Sequence, residues 1–168
     1  MDATTLRELQ RPLKDRYRQN PETACTPLSA HGDFRDPGIT ATIDGFAGPV
    51  RAGLHRATGG DGSDACSGDL LLEALLACAG VTLRSVATAM GVDIRAASLR
   101  AEGAFDARGT LGVDRTVPVG VTDIVVTCAL QTSADDATLQ RLAAATESYC
   151  VVGQSLRQPP RIVVTRVG

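Results

Sequence analysis

Two features of the sequence predict an α+β domain. One is a long apolar segment, Leu70–Met90, of helical length and without proline; the other is a set of short strand-like segments, cut by Gly, Pro and Asp, on both sides of it. Composition agrees: the 168 residues are 43% hydrophobic, 21% charged and 3% aromatic, the profile of an ordinary globular domain. A chain of this length buries roughly 70% of the surface its unfolded form exposes, so a core forms without disulfide or metal staples. With no Trp, three Phe and two Tyr, that core is built from Ala, Val and Leu.

Residues 1–26 read as a charged N-terminal extension, a short amphipathic helix or arm closed at Asn20-Pro21, and residues 27–168 as the domain. The domain opens with a predicted three-stranded antiparallel meander. Its strands are Pro27–Phe34, Ile39–Ile43 beyond the turn Asp36-Pro37-Gly38, and Val50–His55 beyond Gly45–Pro49. Arg56–Gly68 is a Gly/Ser/Asp loop, and Ser67-Gly68-Asp69 supplies an N-cap signal for the helix over Leu70–Met90, with Gly91 at C′. Apolar residues occupy more than one face of that helix, so protein should surround it, part of the cover coming from a second subunit. Two strands follow: Ile94–Asp106, with Leu99, Ala101 and Phe105 on one parity, and Thr122–Gln131, with Ile124, Val126, Cys128 and Leu130 pointing inward. A Gly/Pro-containing turn, Arg108–Gly120, joins them. Ser133–Asp136 caps a helix that places Leu139, Leu142, Ala143 and Thr146 at helical spacing and runs toward Tyr149-Cys150. Val151–Leu156 starts another helical turn, Pro159-Pro160 stops it, and Arg161–Val167 reads as a final edge strand.

Charge and segment lengths exclude several function classes. Seventeen basic and nineteen acidic residues leave a net charge of -2, so no global positive field favours nucleic acid or an anionic membrane. The apolar run Leu70–Leu83, with Glu73 inside it and Arg84 after it, falls short of the ~20 residues of a bilayer span. Met1–Pro21 is charged throughout and lacks the apolar region of a secretory signal, which sets the expectation of a cytoplasmic protein. Five cysteines, Cys25, Cys66, Cys78, Cys128 and Cys150, make an odd count and argue against a disulfide framework. Together with His31 and His55 they show no paired C-x₂₋₄-C or H-x₃₋₅-H spacing, so no metal is expected. Gly59-Gly60-Asp61-Gly62 lacks the Lys-Ser/Thr ending of a phosphate loop, and no G-x-S-x-G elbow marks a serine hydrolase.

Taken singly, Cys78 in LLEALLACAG reads as a small core hydrophobe. Cys150 in ESYCVVGQSL stands where one helix ends and another begins, so its thiol either fills the core or faces the positive end of a helix.

The combination CSGDLLLEALLACAGVTLRSVATAMG, followed 72 residues after Cys78 by ESYCVVGQSL, resembles the two-cysteine signature of the OsmC/Ohr family of thiol-dependent hydroperoxide reductases. The order of elements resembles that family's α+β fold, in which antiparallel sheets wrap long central helices in an intertwined homodimer. The resemblance implies a peroxidase acting on organic hydroperoxides, cofactor-free and restored by a dithiol reductant. It implies Cys78 as the attacking thiolate and Cys150 as the resolving thiol. It also implies an activating Arg from the N-terminal strands and a carboxylate at the start of the central helix. Arg35 in GDFRDPG best fits the Arg, with Arg51 and Arg56 as competitors, and Asp69 fits the carboxylate, although Gly68 stands where the Ohr branch carries its Arg-holding Glu. Glu73 points away from the thiol by the helical step. The competing reading from another class is a small-molecule-binding or stress-related dimer of the same fold with inert core thiols; a different thiol chemistry in the same pocket is a third.

Overall fold

The structure, a computed structural model, describes residues 1–167. The chain forms two compact units: Leu28–Ala74 with Glu102–Ile124, and Met1–Pro27 with Leu75–Ala101 and the C-terminal stretch from Val125.

In the first of these units, β1 (Gly32–Asp33), β2 (Thr40–Gly45) and β3 (Gly48–Gly53) form the expected antiparallel meander, with Asp33 opposite Thr42 and Thr42 opposite Arg51. Gly45 and Gly48 face each other across the β2–β3 turn, and Gly48 sits at φ +123°, a conformation open to glycine and strained for other residues. Strand β1 is shorter than the predicted Pro27–Phe34. With Gly32 opposite Ile43, residue 30 would face Gly45, where β2 already turns into β3, so residues 27–29 have no partner strand. A fourth strand that the sequence reading missed, β4 (Ala65–Cys66), lies parallel to β3, with Gly53 opposite Cys66. The Arg51–Asp64 ion pair fastens β3 to the loop that leads into β4. The stretch expected as a plain turn over Arg108–Gly120 holds a one-turn helix, α3 (Ala107–Thr110), whose N-cap Asp106 accepts from the Arg108 N–H at 2.9 Å.

The other unit begins with α1 (Ala3–Gln19), the predicted N-terminal helix. Asp2 caps it, accepting from the Thr5 N–H at 2.8 Å, and none of its residues is buried. The long helix α2 (Ser67–Met90), whose first eight residues belong to the unit that carries β1–β4, starts three residues earlier than predicted, because β4 hands the chain straight to it; Asp69 therefore stands in the first turn, where the helix dipole favours an acid. Gly91 at φ +69° ends α2 as predicted. The Val92 N–H returns to the Ala87 carbonyl at 2.9 Å and the Gly91 N–H to that of Thr88 at 3.1 Å, a Schellman closure. Leu75, Ala79, Leu83 and Ala87, four residues apart, are the buried stripe of α2. Part of its apolar surface is not covered by its own chain: Val81 is 72% exposed. By length and composition alone, α2, with 24 residues and an 18-residue stretch of mean hydropathy 1.7, is also long and apolar enough to cross a membrane.

Strands β5 (Ala96–Phe105), β6 (Val121–Gln131) and β7 (Arg161–Val167) form a second sheet in that order, with β6 parallel to β7 and Val126 opposite Ile162. Val126, Cys128 and Leu130 are fully buried, as the alternation predicts. Against β7 packs α4 (Asp136–Tyr149), N-capped by Asp135, with Leu139, Leu142 and Thr146 as its buried face. Each such leucine withdrawn from water contributes roughly 1.5–3 kcal/mol. After Cys150 the chain makes one further turn, α5 (Val151–Gln154).

Candidate functional site

Cys150 is shared by two helices. Its N–H closes α4 on the Thr146 carbonyl at 3.0 Å, and its sulfur caps α5 by accepting from the Gly153 N–H at 3.4 Å. The first N–H groups of any helix lack intrahelical partners, and here those of Val151 and Val152 favour the charged form of Cys78 on α2. The Cys150 thiol and the hydroxyl of Thr82, one turn along α2, act on the same thiol in the same direction. Cys78 is half-buried and Cys150 1% exposed; both are free thiols.

Their electrostatics diverge. Burial pushes the Cys78 thiol up, but hydrogen bonds from the Val152 N–H, the Cys150 thiol, the Val151 N–H and the Thr82 hydroxyl outweigh it. Cys78 therefore ionises below the ordinary cysteine range. Burial also pushes Cys150 up. The Gly153 N–H opposes that rise, whereas the hydrogen bond to Cys78 and the charge there reinforce it. Within the pair the charge is favoured on Cys78 and the proton on Cys150, the arrangement of a nucleophile next to a protonated second thiol. Cys128, in β6, has no such donors: burial alone pushes it up to about 11. Cys25 is exposed.

The other residues singled out from sequence all lie in the unit that carries β1–β4. The Arg35 Nε lies 2.6 Å from an Asp33 carboxylate oxygen and its Nη2 lies 3.0 Å from one of Asp44, so two acids hold this half-exposed guanidinium across the β1–β2 connection. Arg51 is paired with Asp64. The Arg56 side chain runs along Gly62, so closely that a Cβ there would sit 2.3 Å from its Nε. Asp69, in the first turn of α2, borders a cleft of about 280 Å³ with His55, Cys66 and Leu72. A neighbouring cleft of about 250 Å³ shares His55 and Cys66 and is walled by Leu54, Phe105 and Val121. The His55 ring meets Phe105 edge-on at 5.2 Å, and its Nδ1 accepts from the Ala57 N–H at 3.0 Å. Among the described residues no group of three or more His, Cys, Asp or Glu side chains could hold a metal ion.

Sequence reasoning paired Cys78 with Cys150 but missed Thr82 and the Val151 and Val152 amides. Thr82 carried a signal, its i+4 spacing from Cys78 on a helix; the amides carried none, because main-chain donors have no side-chain signature.

The protein-family model for OsmC-like proteins matches residues 60–165. A comparison with curated proteins finds no match. Solved structures of the same fold include an OsmC-like protein from Mycoplasma pneumoniae, with a TM-score of 0.65 at 14% identity over 84% of this chain and 96% of that one. An organic hydroperoxide resistance protein from Elizabethkingia anophelis gives 0.66 at 11% identity over 84% and 99%. The organic hydroperoxide resistance protein OhrB of Bacillus subtilis gives 0.53 at 18% identity over 83% and 98%. The family match covers well over half of the chain, including both Cys78 and Cys150, and the chain belongs to the OsmC-like protein family.

Proposed function

We propose that the protein is a thiol peroxidase that reduces organic hydroperoxides. The observation that carries this reading is the pair of free thiols Cys78 and Cys150 in one compact unit, the first lowered by the helix-start amides of α5 and by its partner, the partner raised by burial and by the first. The Cys78 thiolate attacks the outer oxygen of ROOH, the O–O bond breaks, and the departing alkoxide takes a proton to give ROH and a Cys78 sulfenic acid. The Cys150 thiolate then attacks that sulfur and hydroxide leaves as water, the proton from the Cys150 thiol completing it, so that a Cys78–Cys150 disulfide forms. A dithiol reductant returns both cysteines to thiols, with its own two sulfurs oxidised to a disulfide. The names of two structural neighbours, both organic hydroperoxide resistance proteins, support the substrate class.

The working form in this reading is a homodimer in the cytoplasm. The apolar surface of α2 that its own chain leaves open, Val81 included, is the surface a second copy covers. Asp69 and an arginine of the N-terminal strands complete the site in this reading. Arg35, already aligned by Asp33 and Asp44, is the first choice, and Arg51 and Arg56 follow.

Consumption of cumene hydroperoxide with dithiothreitol as reductant, followed with intact-protein mass spectrometry, tests the reading. The wild type should turn over many equivalents and pass through a species two mass units lighter. A protein whose Cys78 and Cys150 stay reduced under excess hydroperoxide would overturn the peroxidase and leave the inert-thiol dimer.

A further inference from the structure

Helix α1 lies outside residues 60–165, the stretch shared with OsmC-like proteins, and packs chiefly on the one-turn helix Pro21–Ala24 that follows it. None of its residues is buried. Its sequence nevertheless has the pattern of a helix that covers something. Leu6, Leu9, Leu13 and Tyr17, spaced i, i+3, i+7 and i+11, form one apolar stripe, on which Leu9 is 56% and Leu13 42% exposed. A helix of 17 residues is marginal in water without packing on such a face, and Pro12 inside it removes a further hydrogen bond. Packing from outside its own chain is what this helix lacks.

Charge and area both point to a second copy of the chain. Helix α1 carries five bases and two acids in a chain of net charge -2, so the body outside the helix is acidic. Lys14, three residues before Tyr17, and Arg16, three after Leu13, border the stripe on its two sides, whereas Glu8 and Asp15 lie on the far side of the helix. A stripe rimmed by bases fits an acidic body with apolar surface left open; a nucleic acid would leave the leucines unused. The open face of α2 is at most about 36 Å by 10 Å, so two such faces in contact bury roughly 700 Å², below the ~1,200 Å² at which stable dimers begin. The stripe on α1 is about 25 Å long. Docked on a second copy and repeated by two-fold symmetry, it adds roughly 1,000 Å², which brings the interface into the standard range.

We propose that α1 is a dimer clasp: its Leu6–Leu9–Leu13–Tyr17 stripe docks on a second copy of this chain, and each copy grips the other. The proposal rests on the homodimer of the peroxidase reading and names the segment that holds it together. Its test needs no hydroperoxide.

The test joins sedimentation of the full chain with hydrogen exchange of its peptides. Because no residue of α1 is buried, the double variant Leu9→Gln/Leu13→Gln keeps the fold while removing the stripe. It should raise the dissociation constant of the dimer by about a hundredfold or more. In the wild type, the amides of residues 3–19 should exchange slowly in the dimer and quickly once dilution separates the copies, a readout that needs no variant. Equal dissociation constants in the wild type and the double variant would overturn the clasp and leave a dimer made through α2. Exchange in α1 as fast in the dimer as in the diluted protein would overturn it as well. A wild type that stays monomeric at micromolar concentration would sink the clasp and the homodimer together, and α1 protected only when phosphatidylserine vesicles are added would assign the stripe to a lipid surface instead.

Discussion

Cys78 and Cys128 belong to the same compact unit, yet burial has opposite outcomes at the two positions. Cys128 sits fully buried in β6 among apolar neighbours, and desolvation alone pushes it up to about 11. Cys78 is penalised by burial too, but two main-chain amides, a neighbouring thiol and the Thr82 hydroxyl reverse the sign. The lesson is that the donors a fold aims at a sulfur, and not the depth of the sulfur, decide whether it becomes a nucleophile or a core side chain. In this chain the donors exist because the α4–α5 break leaves helix-start amides without other partners.

The comparison breaks most sharply at the attacking thiol. Cys78→Ser should abolish cumene hydroperoxide consumption, whereas Cys150→Ser should permit one oxidation and stop at a sulfenic or over-oxidised Cys78, seen as added oxygen by mass spectrometry. At the contrasting position, Cys128→Ser should leave turnover intact but lower unfolding free energy by about 1–3 kcal/mol in urea titrations. The cost arises because an added hydroxyl is buried in an apolar sheet.

Alkaline stability separates the two sites again. With its folded value raised to about 11, Cys128 keeps its proton in the native state while the unfolded chain releases it near an ordinary thiol value. The unfolded state then binds fewer protons, so stability falls as pH rises. The loss from this residue should run at up to about 1.4 kcal/mol per pH unit, from roughly pH 8.5 until the folded value is reached. Urea midpoints in Cys128→Ala should lack that part of the alkaline decline.

Smaller effects sharpen the account at the Cys78 end. Cys150→Ala removes a hydrogen-bond donor, so the Cys78 alkylation profile should move to higher pH, though not to that of Cys128, because the amides remain. Arg35→Ala should slow hydroperoxide turnover and shift the Cys78 profile less than Cys150→Ala does. Its effect on unfolding free energy should be small, since its ion pairs with Asp33 and Asp44 are half-exposed. Dimerisation through α2 would be visible as a dimer at micromolar concentration in sedimentation, with an interface above about 1,000 Å²; a stable monomer would contradict it.

Much of this was legible in the sequence where one periodicity dominates. The apolar breadth of Leu70–Met90, the alternation through Val126, Cys128 and Leu130, and Gly91 as a stop all match the structure, because local pattern and burial demand the same conformation there. Where a feature depends on pairing with a distant segment, the sequence was silent. Strand β4 is only two residues long and exists through its register with β3, and β1 is cut short by where β2 turns. The candidate site divides the same way. Cys78 and Cys150 were found through a motif, but the reason Cys78 is activated lies in the main chain of Val151 and Val152 and in a threonine that reads as one more half-buried helical residue.

The most direct test of the central claim is a site-resolved alkylation profile of the wild-type protein from pH 5 to pH 10, with Cys78, Cys150 and Cys128 quantified separately by peptide mass spectrometry. The account predicts that Cys78 reacts first, with a midpoint below that of a free cysteine, that Cys150 follows above it, and that Cys128 stays unmodified across the native range. A Cys78 midpoint at or above that of a free cysteine, or one that coincides with Cys150, would contradict it.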